Sequence, residues 1–251
     1  MTRDQIAEAA HLLLEARRSG RPIVELPEQC RPNSVSEAHA IQDAVTEGLG
    51  QEVGAFKANA PPDAEANRGI IYKPRIHSSP ARIPAKEVPM CGVEGEVAFC
   101  FTRDLPPRST AYSREEVAAA LEACAAIEVV HSRFQQPNDR TALEKLADCI
   151  ANGAFVPAAT RTDWRGLELG KLHVTLQVNG QTVLEQDGGH PTGDPLGVAV
   201  ALVNMMRSGP GVRAGQYVTC GSCTGLRFLK AGDTCIVRFD GLGSAEVTFT
   251  A

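Results

Sequence analysis

Apolar positions recur at helical spacing near the start of the chain, where Ile6, Ala9, Leu12, Leu13 and Ala16 form one stripe and predict a helix over residues 4–18. A second helix is predicted over 35–48, because Ser34 and Glu37 have capping-box spacing and the glycines at 48 and 50 supply a stop. Residues 51–60 are apolar and interrupted by Lys57, which predicts a short strand. Residues 61–89 are proline-rich and polar with little periodicity, and predict a long loop with short strands, a kind of segment that often carries function. The pattern then sharpens. Residues 93–101 alternate as a strand, Ser113 and Glu116 open a helix over 114–124, and an apolar strand over 125–130 follows. Asn179-Gly180 predicts a hairpin turn within 171–185. Pro195 starts a helix over 196–207, ended by Gly209-Pro210, and the remainder alternates β-like segments with turns at Ala231-Gly232-Asp233 and Asp240-Gly241.

The sum is an α+β chain rather than a doubly wound sheet. It divides into an N-terminal helical segment, 1–60, leading into a β-rich core, 61–251, as one structural unit. No repeat stands out, and no glycine-rich phosphate loop follows a strand, which argues against a nucleotide cofactor. At 43% apolar and 22% charged residues, the composition of a folded globular protein, wholesale disorder is excluded. A net charge of −5 without any basic stripe leaves no footprint for nucleic acid. No membrane span or export signal is legible, and a cytoplasmic location is expected. The eight cysteines are mostly scattered in apolar surroundings, as buried reduced thiols would be. Cys220 and Cys223 have CxxC spacing, but the pair runs into another β-like segment and has no second pair to complete a zinc site.

The chemistry concentrates in Val93-Glu94-Gly95-Glu96-Val97-Ala98-Phe99-Cys100-Phe101. Period-two alternation puts Val93, Val97, Phe99 and Phe101 on one face and Glu94 and Glu96 on the other. The two glutamates stand about 6.6 Å apart along the strand, close enough for both carboxylates to converge on one ion. A plainer reading is a solvated face that carries two acids. Glu128 lies inside Ala125-Ala126-Ile127-Glu128-Val129-Val130, a run that reads as buried on both sides, so its carboxylate needs a metal or a partner such as Arg133. Carboxylates without histidine form a hard oxygen site suited to Mg2+ or Mn2+. Lys57, in Val53-Gly54-Ala55-Phe56-Lys57-Ala58, is expected to be pushed toward neutrality as a candidate acid or base, against the plainer reading of a snorkelling lysine. Gly221-Ser222-Cys223-Thr224-Gly225 offers hydroxyls and N–H groups for a carboxylate, or is simply a turn. His131, the histidine nearest this set, reads as structural.

Taken in order, Gly92 through Phe99, Ile127-Glu128-Val129-Val130-His131-Ser132-Arg133, Ala147-Asp148 with Asn152, Gly221 through Gly225, and Ala231-Gly232-Asp233 through Gly243 resemble the 2-keto-4-pentenoate hydratase / 4-oxalocrotonate decarboxylase family, a branch of the fumarylacetoacetate hydrolase superfamily. The likeness runs from the N-terminal helix, including Glu37-Ala38-His39-Ala40-Ile41-Gln42, to the last strands. It implies a β-rich roll with flanking helices, a homo-oligomer, and Mg2+ or Mn2+ on Glu94, Glu96 and Glu128. Lys57 falls on the family's active-site lysine, and Ser222 and Thr224 on its substrate-carboxylate contacts; Asp148 and Arg133 are further substrate-binding candidates. The implied reaction is a lyase step of aromatic compound catabolism: addition of water to a 2-hydroxy-2,4-dienoate to give a 4-hydroxy-2-oxo acid. Decarboxylation of a vinylogous 2-oxo diacid and C–C hydrolysis of an acylpyruvate share the same metal chemistry. A non-catalytic binding subunit on this scaffold is the reading from a different class. The chain departs from the family around the lysine, where Ala55-Phe56-Lys57-Ala58-Asn59 replaces Gly-Tyr-Lys-aliphatic-Gly. It also departs at His131, where an acid is common, and at Cys149 and Ala151, where polar residues are common.

Overall fold

The computed structural model describes all 251 residues. Helix α1 (Arg3–Ser19) starts on a reciprocal capping box between Thr2 and Gln5 and stops at Gly20 in the left-handed conformation. Helix α2 (Val35–Leu49) starts on Ser34 and stops at Gly50 in the same way. The Glu37 carboxylate does not close the expected box; it accepts from the Asn33 N–H and the N-terminal ammonium instead. The two helices bury Ala9, Leu13, Ala38, Ile41 and Val45 in a small core of their own, which Phe134 and Leu146 complete.

Two sheets make the body. The larger orders its strands β2 (Asn67–Tyr72), β1 (Val53–Asn59), β9 (Tyr217–Ser222), β4 (Gly92–Phe101), β5 (Leu121–Val130) and β6 (Asn152–Pro157), with β10 (Arg227–Phe228) beside the start of β4. The smaller runs β3 (Ala81–Pro84), β12 (Gly243–Thr250), β11 (Thr234–Phe239), β7 (His173–Val178) and β8 (Gln181–Asp187). Strands β11 and β12 pack across β5, and the main core fills the space between the sheets with Val93, Val97, Phe99, Phe101, Ile127, Val237 and Phe249. Val93, Val97, Phe99, Phe101 and Ile127 are odd positions of β4 and β5, so the even positions, which carry the glutamates, face away from this core. Helices α3 (Arg114–Ala118), α4 (Ala142–Ala147) and α5 (Pro195–Met206) flank the sheets. The chain is thus α+β, a β-rich roll with flanking helices. No helix is long and apolar enough to cross a membrane.

One boundary differs from expectation. The helix predicted over 114–124 ends at Ala118, and Leu121 to Cys124 belong to β5. Strand β4 is ten residues long, and its unbroken register runs from Gly92↔Val130 to Phe101↔Leu121. Pairing the outer half of β4 satisfies backbone groups that would otherwise be buried without partners, and it overrides local helix propensity. Residues 61–89 hold two strands whose partners are remote: β2 pairs with β1, and β3 lies parallel to β12 at the end of the chain. All eight cysteines are free thiols, and Cys220 and Cys223 sit in the main core.

Gly69, opposite Lys57 in the β1–β2 ladder, permits a close backbone crossing. A Cβ there would stand 2.6 Å from the Cys149 carbonyl oxygen and 2.8 Å from its carbon, atoms that cannot rotate away. Gly69→Ala is therefore expected to cost about 1–3 kcal/mol, read as a lower urea midpoint. Gly166→Ala, which meets nothing within 4 Å, should stay within about 0.5 kcal/mol of wild type.

Candidate active site

Glu94 and Glu128 are directly opposed across β4 and β5, and Glu96 lies two residues along β4 on the same face. One ligand oxygen from each of the three carboxylates lies within 4.8 Å of the others. Glu96 and Glu128 are fully buried, and only 15% of the Glu94 side chain is exposed. This is no solvated strand face.

A bulge in the next strand holds Glu96. Register slips between Glu96↔Ser222 and Ala98↔Thr219, so β9 carries an extra residue there, and Gly221 takes φ 113°. The bulge aims the Gly221 N–H at Glu96 Oε2, 2.8 Å away, and the Thr219 hydroxyl donates to the same oxygen. Glu96 Oε1 is buried with no partner. An ionised carboxylate oxygen left bare in a dry site is costly, so a cation or a proton fits there. The three carboxylates form an oxygen-only donor set, which fits a hard divalent ion.

Lys57 supplies the opposing charge. It is 7% exposed; its Nζ donates to Glu94 Oε2 at 3.2 Å and stands 2.7 Å from Glu128 Oε2 as an ion pair. The expectation of an amine pushed toward neutrality is corrected here. Burial alone would lower its pKa, but attraction from Glu128, Glu94 and Glu96 outweighs burial, so the ammonium is held above the ordinary lysine value. The carboxylates feel the same balance from the other side. Burial raises Glu96 and pushes Glu128 up to about 8, despite the opposing pull of Lys57.

Glu128 is steadied from β6, where Asn152 Nδ2 donates to its Oε1 at 3.1 Å. Three residues in the left-handed region, Cys149, Ile150 and Ala151 (φ 54°, 54° and 57°), bring Asn152 there. Such geometry costs of order 1–3 kcal/mol per non-glycine residue unless the surroundings enforce it. Arg133 does so: its guanidinium pairs with the Asp148 carboxylate and donates to the carbonyls of Asp148, His131 and Asn152. Glu128 takes its cation from Lys57 and not from Arg133.

A cavity of about 590 Å3 opens over Lys57 and Glu94, walled by Met90, Val130, Ile150, Leu226 and Phe228 on the apolar side. Gln135, Gln136, Asn138, Asp139 and Lys145 line its polar side. A larger cavity, about 820 Å3, lies between α2, β1 and the approach to β9, but Glu94, Glu96, Glu128 and Lys57 do not line it, so the charged cluster and not the volume locates the site.

The structure therefore brings together Glu94, Glu96, Glu128 and Lys57. Ser222 faces the same way as Glu96, its partner across the ladder, and its buried hydroxyl has no hydrogen-bond partner. The Thr224 hydroxyl is already engaged, accepting from Gly95 N at 2.8 Å and donating to the Gly225 carbonyl. Arg133 and Asp148 do not line the glutamate cavity; they form the brace behind it. His131 is half-buried and faces another cavity, where burial and Arg133 lower its pKa to about 4 and keep it neutral. Sequence reasoning missed Thr219 and the cavity's Gln135, Gln136 and Lys145. Thr219 left one trace, a hydroxyl in an otherwise apolar strand; the others come from a loop and a short helix without any pattern.

Residues 45–250 match the family described as fumarylacetoacetate (FAA) hydrolase C-terminal, and the chain belongs to that family. Its relatives include a 2-keto-4-pentenoate hydratase of Burkholderia vietnamiensis strain G4, 29% identical over 98% of each chain. A 2-keto-4-pentenoate hydratase of Paraburkholderia xenovorans strain LB400 is 28% identical over 99% of this chain and 96% of its own. Among solved structures, 4-oxalocrotonate decarboxylase from Pseudomonas putida G7, complexed with magnesium and adipate, superposes with a TM-score of 0.86 at 19% identity, covering 99% of this chain and 98% of that one. At that identity the superposition speaks for the fold alone.

The raised Glu128 pKa has a pH signature. Between the ordinary value of 4.5 and about 8, the folded chain keeps a proton that the unfolded chain has lost, so the stability of cation-free protein should fall as pH rises through that window. A divalent ion bound by Glu128 must displace this proton. Titration calorimetry with Mg2+ at pH 7, in buffers of different ionisation enthalpy, should show net proton release, reduced in Glu128→Gln.

Proposed function

We propose that this chain is a divalent-metal-dependent hydratase that adds water to a 2-hydroxy-2,4-dienoate and yields a 4-hydroxy-2-oxo acid. One observation carries the reading: three carboxylates, one with a bare oxygen, cluster around a buried lysine, and that lysine and Glu94 line a substrate-sized cavity. End-to-end similarity to proteins named as 2-keto-4-pentenoate hydratases supports it.

Glu94, Glu96 and Glu128 would hold Mg2+ or Mn2+. When bound, such an ion supplies Lewis-acid stabilisation of negative charge developing on the substrate's 2-oxygen. The chain's own residues do the rest. The unpartnered Ser222 hydroxyl, beside Glu96 in the ladder, would donate to the substrate carboxylate, while Thr224 braces the Gly95 backbone. Lys57 Nζ is the proton carrier: it delivers a proton to the far carbon of the diene as the 2-hydroxyl loses one. The resulting 3-enoate takes water across its double bond, oxygen at C4 and hydrogen at C3. The apolar wall of Met90, Ile150 and Leu226 keeps bulk water from competing for these protons.

A specific observation also favours a second reading, decarboxylation of a vinylogous 2-oxo diacid. That reaction needs a cation for the second carboxylate, and Lys145 lines the cavity without an ion-pair partner of its own. Arg75 and Arg133 are tied to Glu87 and Asp148 and are not free for that role.

Purified protein with Mg2+ and a panel of 2-hydroxydienoates, followed by loss of dienoate absorbance and by CO2 release, separates the two readings. Glu96→Gln is expected to lose at least about 100-fold in metal-dependent turnover, the scale of a lost charge-stabilising group. Lys57→Met is expected to lose about 100- to 10,000-fold. Undiminished turnover in Glu96→Gln would remove the metal assignment.

A further inference from the structure

A separate cavity of about 510 Å3 lies beneath the C-terminal end of α1, and it shares no lining residue with the glutamate cavity. Its walls carry Arg17, Arg18, Arg75, Lys86 and Arg133 against a single lining carboxylate, Glu87. The available negative charge is already engaged. Glu87 is bound by Arg75 at 2.8 Å, and Arg18 reaches Glu15 at 3.3 Å on the surface. Beneath the cavity, Asp148 takes the Arg133 guanidinium on one oxygen, and the Ser132 hydroxyl and the Arg133 N–H, each at 2.9 Å, on the other.

Arg17 is left over. Its nearest acid is that same Asp148, at 3.8 Å, beyond hydrogen-bond distance; its Nε is buried without a partner, and only 15% of the side chain is exposed. The Tyr72 ring, 5.6 Å from the guanidinium, offers a cation–π contact but no counter-charge. Lys86 at the rim has no ion-pair partner, and the neutral His131 adds a buried Nδ1 that is also unpartnered. Two guanidiniums sharing one carboxylate in a dry wall leave a buried positive charge unmet.

We propose that this cavity binds a small oxyanion of phosphate or dicarboxylate type, held by Arg17 and Lys86. The planar fork of Arg17 suits two oxygens of one anionic group, and the volume admits an ion of that size with bridging water.

Calorimetric titration of the full chain at fixed ionic strength, with inorganic phosphate in one arm and malonate in the other, tests this. Saturable one-site binding of either ion is expected, and the arm that binds more tightly identifies the class. Arg17→Gln should weaken it at least about tenfold, the effect of a buried charge-assisted contact. Lys86→Ala should weaken it about threefold, and being an exposed change it decides the matter if Arg17→Gln does not fold. Glu96→Gln should leave the affinity unchanged. No saturable binding, or binding lost in Glu96→Gln and kept in the Arg17 and Lys86 variants, would overturn the proposal. So would an anion affinity that depends on protein concentration, because the charge would then be met by a second copy of the chain.

Discussion

The structure turns on how buried negative charge is compensated. Glu94, Glu96 and Glu128 project from one face of two adjacent strands, and one ammonium, Lys57, answers them. At an effective dielectric near 20, two like charges about 5 Å apart repel by about 3 kcal/mol, so the cluster is unstable without a further proton or cation. Burial is the main cause that raises Glu96 and Glu128 above the ordinary carboxylate value, and repulsion from the neighbouring glutamates adds to it. The deficit of positive charge makes the site receptive to a hard divalent ion.

Much of the surrounding fold serves to keep these groups from escaping it. The bulge in β9 gives Glu96 two donors on one oxygen and none on the other, which fixes the carboxylate and leaves one lone-pair direction open. The left-handed run at Cys149, Ile150 and Ala151 gives Glu128 its amide partner, Asn152. Gly69 lets β2 pass against that run without a side chain. Local backbone cost is tolerated here because Arg133 holds the Asp148 carboxylate and the carbonyls of Asp148 and Asn152, on either side of that run, at once.

Asn152 stands between the carboxylate cluster and the basic cavity. Its side-chain amide donates to Glu128 on the acidic side, and its carbonyl accepts from Arg133 on the basic side. Arg133 and Asp148, candidates for substrate contact from sequence, are thereby used as a brace between the two. A buried pair with this many donors is costly to break from one side, and it makes a rigid divider.

The strands that carry chemistry were legible in local residue spacing alone. Alternation placed Glu94 and Glu96 together and away from the apolar face, and the unbroken apolar run around Glu128 marked it as buried, because period two is a local property. Capping boxes and Asn179-Gly180 likewise located helix starts and a hairpin from a few neighbouring residues. The remaining features depend on contacts between segments distant in the chain. The ammonium of Lys57 stays charged because three carboxylates from other strands surround it, and pairing with β4 turned the end of a predicted helix into strand. The donors on Glu96 and Glu128, and the unmet charge of Arg17, likewise arise from segments remote in the chain. Charge balance and hydrogen-bond satisfaction are sums over neighbours in space, and local spacing carries no record of them.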